Sequence, residues 1–421
     1  MGNVGGCMKK VILKGPVLTR SGYGEQARFA LRSLWSRPDL YDVYIAATGW
    51  GKTSWIIETD SEREMIDNVI NKTTDYLEAG GKFDMSVQVT IPNEWERIAP
   101  YNVGYTAGIE TTRVAPEWIE KTNMMDKVVV VSNHAKNIFE ESKYLLQNGD
   151  KPPVKFRCTT AIDVVNYPVK NFESVDLGLQ LPYDFNFLCV AQWGPRKNVK
   201  NTVKWFVEEF HDEEVGLVVK MFQLKNCHMD KLICMDKLKD LLSSYPNRKC
   251  KVHLIHGNMT DQELHSLYTH PKLKAFVTLT HGEGYGLPIF EAAYSGMPVV
   301  APAWSGHCDF LFAPVKKKGT TRTKIRPLFA KVDYELKPIQ KEAVWNGVLQ
   351  KDSMWCYGKE NSYKRQLREV YKAHSRFVGQ AKKLKTYINK NFTAKQMYSE
   401  FIDALQPTAA TQEEESLVMV V

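Results

Sequence analysis

The sequence predicts an α/β fold of doubly wound, parallel sheets arranged in two domains, and three observations carry that reading. Short apolar runs rich in β-branched residues recur along the chain, longer segments of helical periodicity separate them, and the chain is 421 residues long. A strand that is apolar on both faces needs cover on both sides, which alternating helices give to a parallel sheet. A chain of this length exceeds one ordinary core and suits two or three domains.

The runs, in order, are KKVILKG (9–15), DVYIAA (42–47), KVVVVS (127–132), FNFLCVA (185–191), VGLVVKMF (215–222), KVHLIHG (251–257), AFVTLT (275–280) and MPVVAP (297–302). Between residues 166 and 184, Pro168 and Pro182 stand among polar residues, and a fresh strand–helix series starts at Phe185. The expected division is one α/β unit over 1–165, a linker over 166–184 and a second unit over 185–375. Residues 364–405 read as two helices broken near 389–393. The end, 407–421, contains TAATQEEES and reads as a flexible tail. The stretch VKKKGTTRTKIR, 315–326, reads as an exposed loop. The chain has no internal repeat of solenoid type.

Composition narrows the class. Hydrophobic residues make up 43% and charged residues 25%, ordinary for a soluble globular protein. No apolar run has the length of a membrane span, and residues 1–10 lack a signal-peptide core. Gly6 stands where a myristoylation signal needs Ser or Thr. The expectation is a cytoplasmic protein, with peripheral attachment to a membrane left open. Eight cysteines, none spaced as CxxC, read as reduced and mostly buried thiols. A net charge of +8 suits anionic ligands. The lysines and arginines do not cluster with aromatics, so nucleic-acid binding stays an unsupported alternative.

The densest chemistry lies in residues 281–311, HGEGYGLPIFEAAYSGMPVVAPAWSGHCDFL. A buried strand ends at the turn Gly282-Glu283-Gly284-Tyr285-Gly286, and Pro288 stands in the first turn of the helix that follows. Glycines permit tight turning and close ligand approach, and free N–H groups at a helix start attract an anion such as a diphosphate. Glu283 stands on the turn and Glu291 about two helical turns further on, so both carboxylates are placed to accept hydroxyl protons from one ligand.

EGYGLPIFEAAYSGMPVV resembles the donor-site signature of the retaining glycosyltransferases of family four, which have the GT-B fold. The resemblance implies two Rossmann-like domains facing across a cleft. It gives Glu283 the donor sugar, Glu291 the nucleotide ribose, and the loop of Gly284, Tyr285, Gly286 and Leu287 the diphosphate. VAQWGPRKNVKNTV resembles the family's loop in which an arginine and a later lysine neutralise the diphosphate. Lys197 matches the lysine, but Gln192 holds the arginine position and Arg196 is offset by four residues. HGNMTDQELHSLYTH resembles the stretch around the base, which the backbone of Gly257, Asn258 and Met259 would hold.

In the first domain, GPVLTRSGYGEQARFAL resembles the family's first loop, with Ser21, Gly22, Tyr23 and Gly24 near donor and acceptor. The stretch from Asn102 to Phe139 resembles the acceptor side, with Glu110 facing the cleft. Some members carry a cleft histidine in this domain. Here His134 is the first histidine of the chain, and it reads as a neighbour of a helix cap. Residues 376–406 match the family's habit of crossing back to the first domain.

One pattern competes. AATGWGKT, 46–53, follows a strand and loosely matches a phosphate loop, but Ala46 replaces the first glycine and the sequence after Thr53 starts no good helix.

The resemblance implies glycosyl transfer from a nucleotide sugar with the anomeric configuration retained. The chain has no DxD triplet, so no metal or other cofactor is expected. Glu283, Lys197 and Glu110 are the expected catalytic residues, with Lys197, Arg196, the loop N–H groups and the helix dipole taking up charge on the diphosphate. The acceptor is left open among a glycan, a lipid-linked glycan, a protein and a small molecule. Two alternatives stand beside this: a sugar-nucleotide epimerase or phosphorylase on the same fold, and a degenerate protein that binds a nucleotide sugar or glycan without turnover.

Overall fold

The computed structural model describes residues 8–147, 153–316, 319 and 322–407. The first half supplies β1 (Lys9–Gly15), α1 (Gly22–Trp35), β2 (Tyr41–Ala47), α2 (Ser61–Glu78), β3 (Met85–Val89) and β4 (Tyr101–Thr106). It continues with α3 (Pro116–Asn123), β5 (Lys127–Val130), α4 (Asn133–Glu141), β6 (Lys143–Leu146), β7 (Val154–Arg157) and β8 (Ile162–Val164). Six of these strands form one parallel sheet in the order β2-β1-β3-β4-β5-β8.

The second half starts with β9 (Asn186–Gln192), α5 (Val199–Phe210), β10 (Gly216–Phe222), α6 (His228–Ser243), β11 (Lys251–Ile255) and α7 (Asp261–Thr269). Then come β12 (Leu273–Val277), α8 (Leu287–Ser295), β13 (Val299–Pro302), α9 (Cys308–Leu311), β14 (Phe312–Lys316), β15 (Thr323–Pro327) and β16 (Ala330–Val332). A second parallel sheet runs β11-β10-β9-β12-β13-β16. The fold is therefore two Rossmann-like doubly wound domains. In each sheet the strand order reverses beside the first strand, at β1/β3 and at β9/β12, where open α/β sheets hold their ligands.

Local chemistry sets the helix starts that matter. Ser21 caps α1 by accepting the Gly24 N–H at 2.9 Å. Thr260 and Glu263 form a reciprocal capping box on α7. Before α8, Gly286 takes φ +92°, and Gly296 ends the helix at φ +88°, both left-handed values that suit glycine.

Strands β3 and β4 fall outside the apolar runs because their buried positions include polar residues. Ser86, Gln88 and Asn102 are fully buried and satisfy one another: Ser86 Oγ donates to Asn102 Oδ1 at 3.0 Å and Gln88 Nε2 to Ser86 Oγ at 3.1 Å. Residues 312–316 and 323–327 pair as an antiparallel ribbon, so half of the stretch read as a loop is strand. Residues 408–421 lie outside the described residues.

Three helices close the chain, α10 (Glu360–Lys372), α11 (His374–Asn391) and α12 (Ala394–Ala404), with a break at Ala373 in addition to the one near 392. The α11 helix packs on α8, and α12 packs on α1, where Phe401 meets Phe29 edge-on at 5.4 Å. One hydrophobic core joins the domains through Tyr167 and Tyr285, 5.0 Å apart, and on to Phe290 and Phe310. Lys170 adds a half-buried charge link between α1 and α7, 2.9 Å from Glu25 and 2.8 Å from Asp261. No helix among the described residues is long and apolar enough to cross a membrane. The seven described cysteines are free thiols.

A further connection was not expected. Strands β17 (Tyr334–Pro338) and β18 (Met354–Gly358) pair antiparallel and carry a strap, residues 339–353, onto the first domain. Val348 is 6% exposed and belongs to the first domain's cluster with Trp95, Val114 and Trp118. Asn93 donates to the Gly347 carbonyl at 3.0 Å, the Met354 N–H donates to Thr112 Oγ1 at 2.9 Å, and Arg113 pairs with Asp352. A Val348→Asp substitution puts an unpartnered carboxyl into that cluster and is expected to cost at least about 2 kcal/mol. Hydrogen exchange would show faster opening over 345–349 with the second sheet still protected.

Candidate active site

The carboxyl ends of the two sheets meet, and the loops after β4 and β5 press against those after β9, β12 and β13. Glycine makes the approach close. A Cβ on Gly282 would stand 2.5 Å from the Glu110 carbonyl oxygen, and one on Gly284 2.5 Å from that of Ala107. Ser132 Oγ donates to the Gly284 carbonyl at 2.6 Å, and Asp309 accepts the Asn133 N–H at 2.8 Å. Two turn glycines therefore serve the contact between domains in this state.

At this seam Glu283, Lys197, Arg196 and Glu110 come together. Lys197 Nζ lies 2.6 and 2.7 Å from the two carboxylate oxygens of Glu283. One Arg196 nitrogen donates to the Gly282 carbonyl at 2.7 Å and reaches Glu283 at 3.3 Å, while the other lies 3.2 Å from Glu110. Arg196 thus joins a carboxylate of each domain. The Glu283 N–H donates to Ser305 Oγ at 2.9 Å, and Ser305 itself takes φ +81°. Burial alone would raise the Glu283 carboxyl, but the charges of Lys197 and Arg196 outweigh it and hold the group down at about 2. Burial pushes the Lys197 ammonium below its usual range despite the neighbouring carboxylate.

Glu291 stands apart from this group. Its carboxyl accepts the Tyr268 hydroxyl at 2.9 Å, and burial pushes it up to about 7. Leu287 and Glu291 are half-buried on α8. Tyr285 turns the other way: its ring is 3% exposed and packs on Tyr167 and Phe310, so only its backbone belongs to the turn. Gln192, exposed at the end of β9, donates to the Gln223 carbonyl at 2.8 Å and takes no part in the ionic group.

The loop after β11 is held from behind. Lys220 Nζ donates to the Gly257 carbonyl at 2.8 Å, Asn226 donates to Asn258 at 2.9 Å, and Arg20 reaches across to the Met259 carbonyl at 3.5 Å. Asp230, Cys234 and His256 bring ligand-type atoms within 4.8 Å of one another. The Asp230 oxygens already accept the N–H groups of Gln223 and Leu224 and face His256 Nε2 at 2.9 Å, so the cluster fits an anchor between two loops.

In the first domain, Ser21 and Gly24 are committed to local structure. Ser21 caps α1, and a Cβ on Gly24 would stand 2.0 Å from the Thr19 carbonyl oxygen. Gly22 faces open space, and Tyr23 donates to or accepts from Thr106 Oγ1 at 2.8 Å. His134 does not simply flank a cap. Ser132 is the cap of α4, and the His134 ring meets Trp304 of the second domain edge-on at 4.9 Å, with burial pushing it down to about 4. After Lys52 and Thr53 no helix starts until Ser61, which removes the phosphate-loop reading of 46–53. Sequence reasoning missed Ser305, Trp50 and Trp304; only the Ser-Gly dipeptide at 305–306 signalled a turn.

A sucrose-phosphate synthase from Thermosynechococcus elongatus has a similar structure over 94% of this chain and 98% of its own, with a TM-score of 0.61 at 11% identity. The fold is GT-B. A glycosyltransferase from Rickettsia africae ESF-5 gives a TM-score of 0.56 at 11% identity over 95% of this chain and all of its own, 100%. The E. coli trehalose-6-phosphate protein bound with UDP-2-fluoro glucose gives 0.58 at 8% identity, over 95% of this chain and 99% of that one. Against a mutant of S. aureus TarM the chain spans 55% of the other's length at a TM-score of 0.47, too loose a likeness to argue from. No protein-family model matches the chain, and no curated protein matches it in sequence.

The Glu283 ion pair fixes a pH dependence. Its folded value of about 2 lies below the ordinary 4.5, so its contribution to stability is complete above 4.5 and is lost as pH falls toward 2. Urea midpoints measured down that range are expected to fall less steeply for Glu283→Gln than for the unmodified chain.

Proposed function

We propose that this chain is a glycosyltransferase that moves a sugar from a nucleotide-sugar donor to an acceptor, with the anomeric configuration retained and without a metal. The observation that carries the reading is the convergence of Lys197, Arg196, Glu283 and Glu110 where the carboxyl ends of the two sheets meet. The GT-B fold and the family-four resemblance of the 283–300 segment support it.

In this reading the donor diphosphate lies against Lys197, Arg196 and the first N–H groups of α8. The two cations are half-buried, where charge is worth more than on an exposed surface. Glu283 accepts hydroxyls of the donor sugar, and Glu291 those of the ribose. The bond from the anomeric carbon to the diphosphate oxygen breaks as the acceptor oxygen bonds to that carbon on the same face. The acceptor's proton passes to the departing phosphate, and Lys197 and Arg196 take up the charge left there. Glu110 orients Arg196. The second α/β unit, 185–375, then holds the donor and the first, 1–165, the acceptor.

Two measurements test this. In a thermal-shift screen of UDP, GDP, ADP, CMP and their sugar conjugates, one nucleotide family is expected to stabilise the chain by about 2.7 kcal/mol at one hundred times its dissociation constant. Lys197→Ala is expected to lower donor turnover by roughly 100-fold or more. Stabilisation with no turnover of any donor would favour the binding protein without catalysis, and no stabilisation at all would remove the transferase reading.

Glu291 adds a pH signature. Its carboxyl is neutral below about 7, and a ribose hydroxyl donates better to the ionised form. Nucleotide affinity is therefore expected to rise between about pH 6 and 8, and calorimetry should find that rise flattened in Glu291→Gln.

A further inference from the structure

A second group of side chains stands in the first domain, at the carboxyl ends of β1 to β4. Lys14 lies near the end of β1, Thr48 follows β2, Glu94 follows β3 and Thr106 ends β4. Tyr23 sits among them. Its hydroxyl is 2.8 Å from Thr106 Oγ1 and accepts the Ala107 N–H at 3.3 Å, and it feels the carboxylates of both Glu94 and Glu110.

Trp50 stacks on the Tyr23 ring, with centroids 4.0 Å apart and planes 28° from parallel. Gly49 and Gly51 on either side of it, and Gly22 beside Tyr23, have open space where a side chain would stand. The loop that carries Trp50 is sewn to the β1–α1 loop. Ile56 donates to the Leu18 carbonyl and Arg20 to that of Ser54, both at 2.8 Å, and Thr19 bridges Trp55, which is 48% exposed. Thr48 Oγ1 is buried with no hydrogen-bond partner among the described residues.

We propose that this wall is the acceptor subsite, that its occupant is a sugar ring, and that Trp50 is the residue that selects it. The proposal rests on the glycosyl-transfer reading. A pyranose ring offers one face of C–H groups and a rim of hydroxyls. A fixed, flat indole suits the face, and Glu94 and Lys14 suit the rim. The stack on Tyr23 holds Trp50 in one orientation, and the Tyr23 hydroxyl is itself held by Thr106, one residue before the Ala107 that meets Gly284. The acceptor ring is thus placed beside the Glu283 group. Partial burial raises the Glu94 carboxyl against the pull of Lys14.

The test uses the full chain and the nucleotide sugar that it hydrolyses in water. Glucose, galactose, mannose and N-acetylglucosamine are added singly, with glycerol as the acyclic control, and release of nucleoside diphosphate is followed. At least one ring sugar is expected to accelerate release where glycerol does not. Trp50→Ala should raise that sugar's KM roughly tenfold with a smaller change in kcat, and Trp50→Phe should restore most of it. A nucleotide-induced thermal shift retained in Trp50→Ala shows that the variant is folded. Donor hydrolysis with no acceleration by any ring sugar, or an unchanged KM in Trp50→Ala, overturns the subsite and leaves glycosyl transfer standing. Absence of any nucleotide-sugar binding or hydrolysis removes both.

Discussion

A carboxylate with 9% of its side chain exposed needs opposite charge beside it, and Glu283 has two cations. Lys197 and Arg196 both come from the loop between β9 and α5, so that loop is fixed to the turn after β12. Arg196 has charge left for Glu110, which draws the first domain in. From there the glycines follow, because any side chain at 282 or 284 would hold the Glu110 and Ala107 backbone away. A single buried negative charge thus organises two loops of one domain and their contact with the other.

The same group holds a second cation beside Lys197 although Gln192 carries no charge. The offset arginine, Arg196, sits one residue before Lys197 and reaches Glu283 and Glu110 together. The loop after β9 turns through Asn198 in the left-handed region, at φ 51°, before α5 begins.

Much of the architecture was legible. Strands β1, β2, β5, β9, β10, β12 and β13 are apolar over most of their length, and such runs report themselves. Strands β3 and β4 did not, because Ser86, Gln88 and Asn102 are buried polar residues that satisfy one another, and a pattern read from hydropathy carries no record of partners. Within the site, Gly-rich turns and acidic residues were visible as chemistry. What each glycine approaches was not: Gly24 packs on Thr19, and Gly284 packs on Ala107, far back in the other domain. Tyr285 and His134 changed sides for a related reason. Part of their surroundings comes from outside their own domain: Tyr167 lies in the linker and Trp304 follows β13. The strap over 339–353 gave no sequence signal, since the cluster that Val348 and Leu349 join lies in the other half of the chain.

The strap has a mechanical consequence. The domains are joined where the junction of α11 and α12 meets the linker, with the Val169 N–H donating to the Phe392 carbonyl at 2.8 Å, and joined again where Val348 enters the first domain. Two pins define an axle. Any motion that keeps both is a swing about the line between them, like a gate on its hinges, and the jaws of the cleft are not free to translate apart or shear past each other.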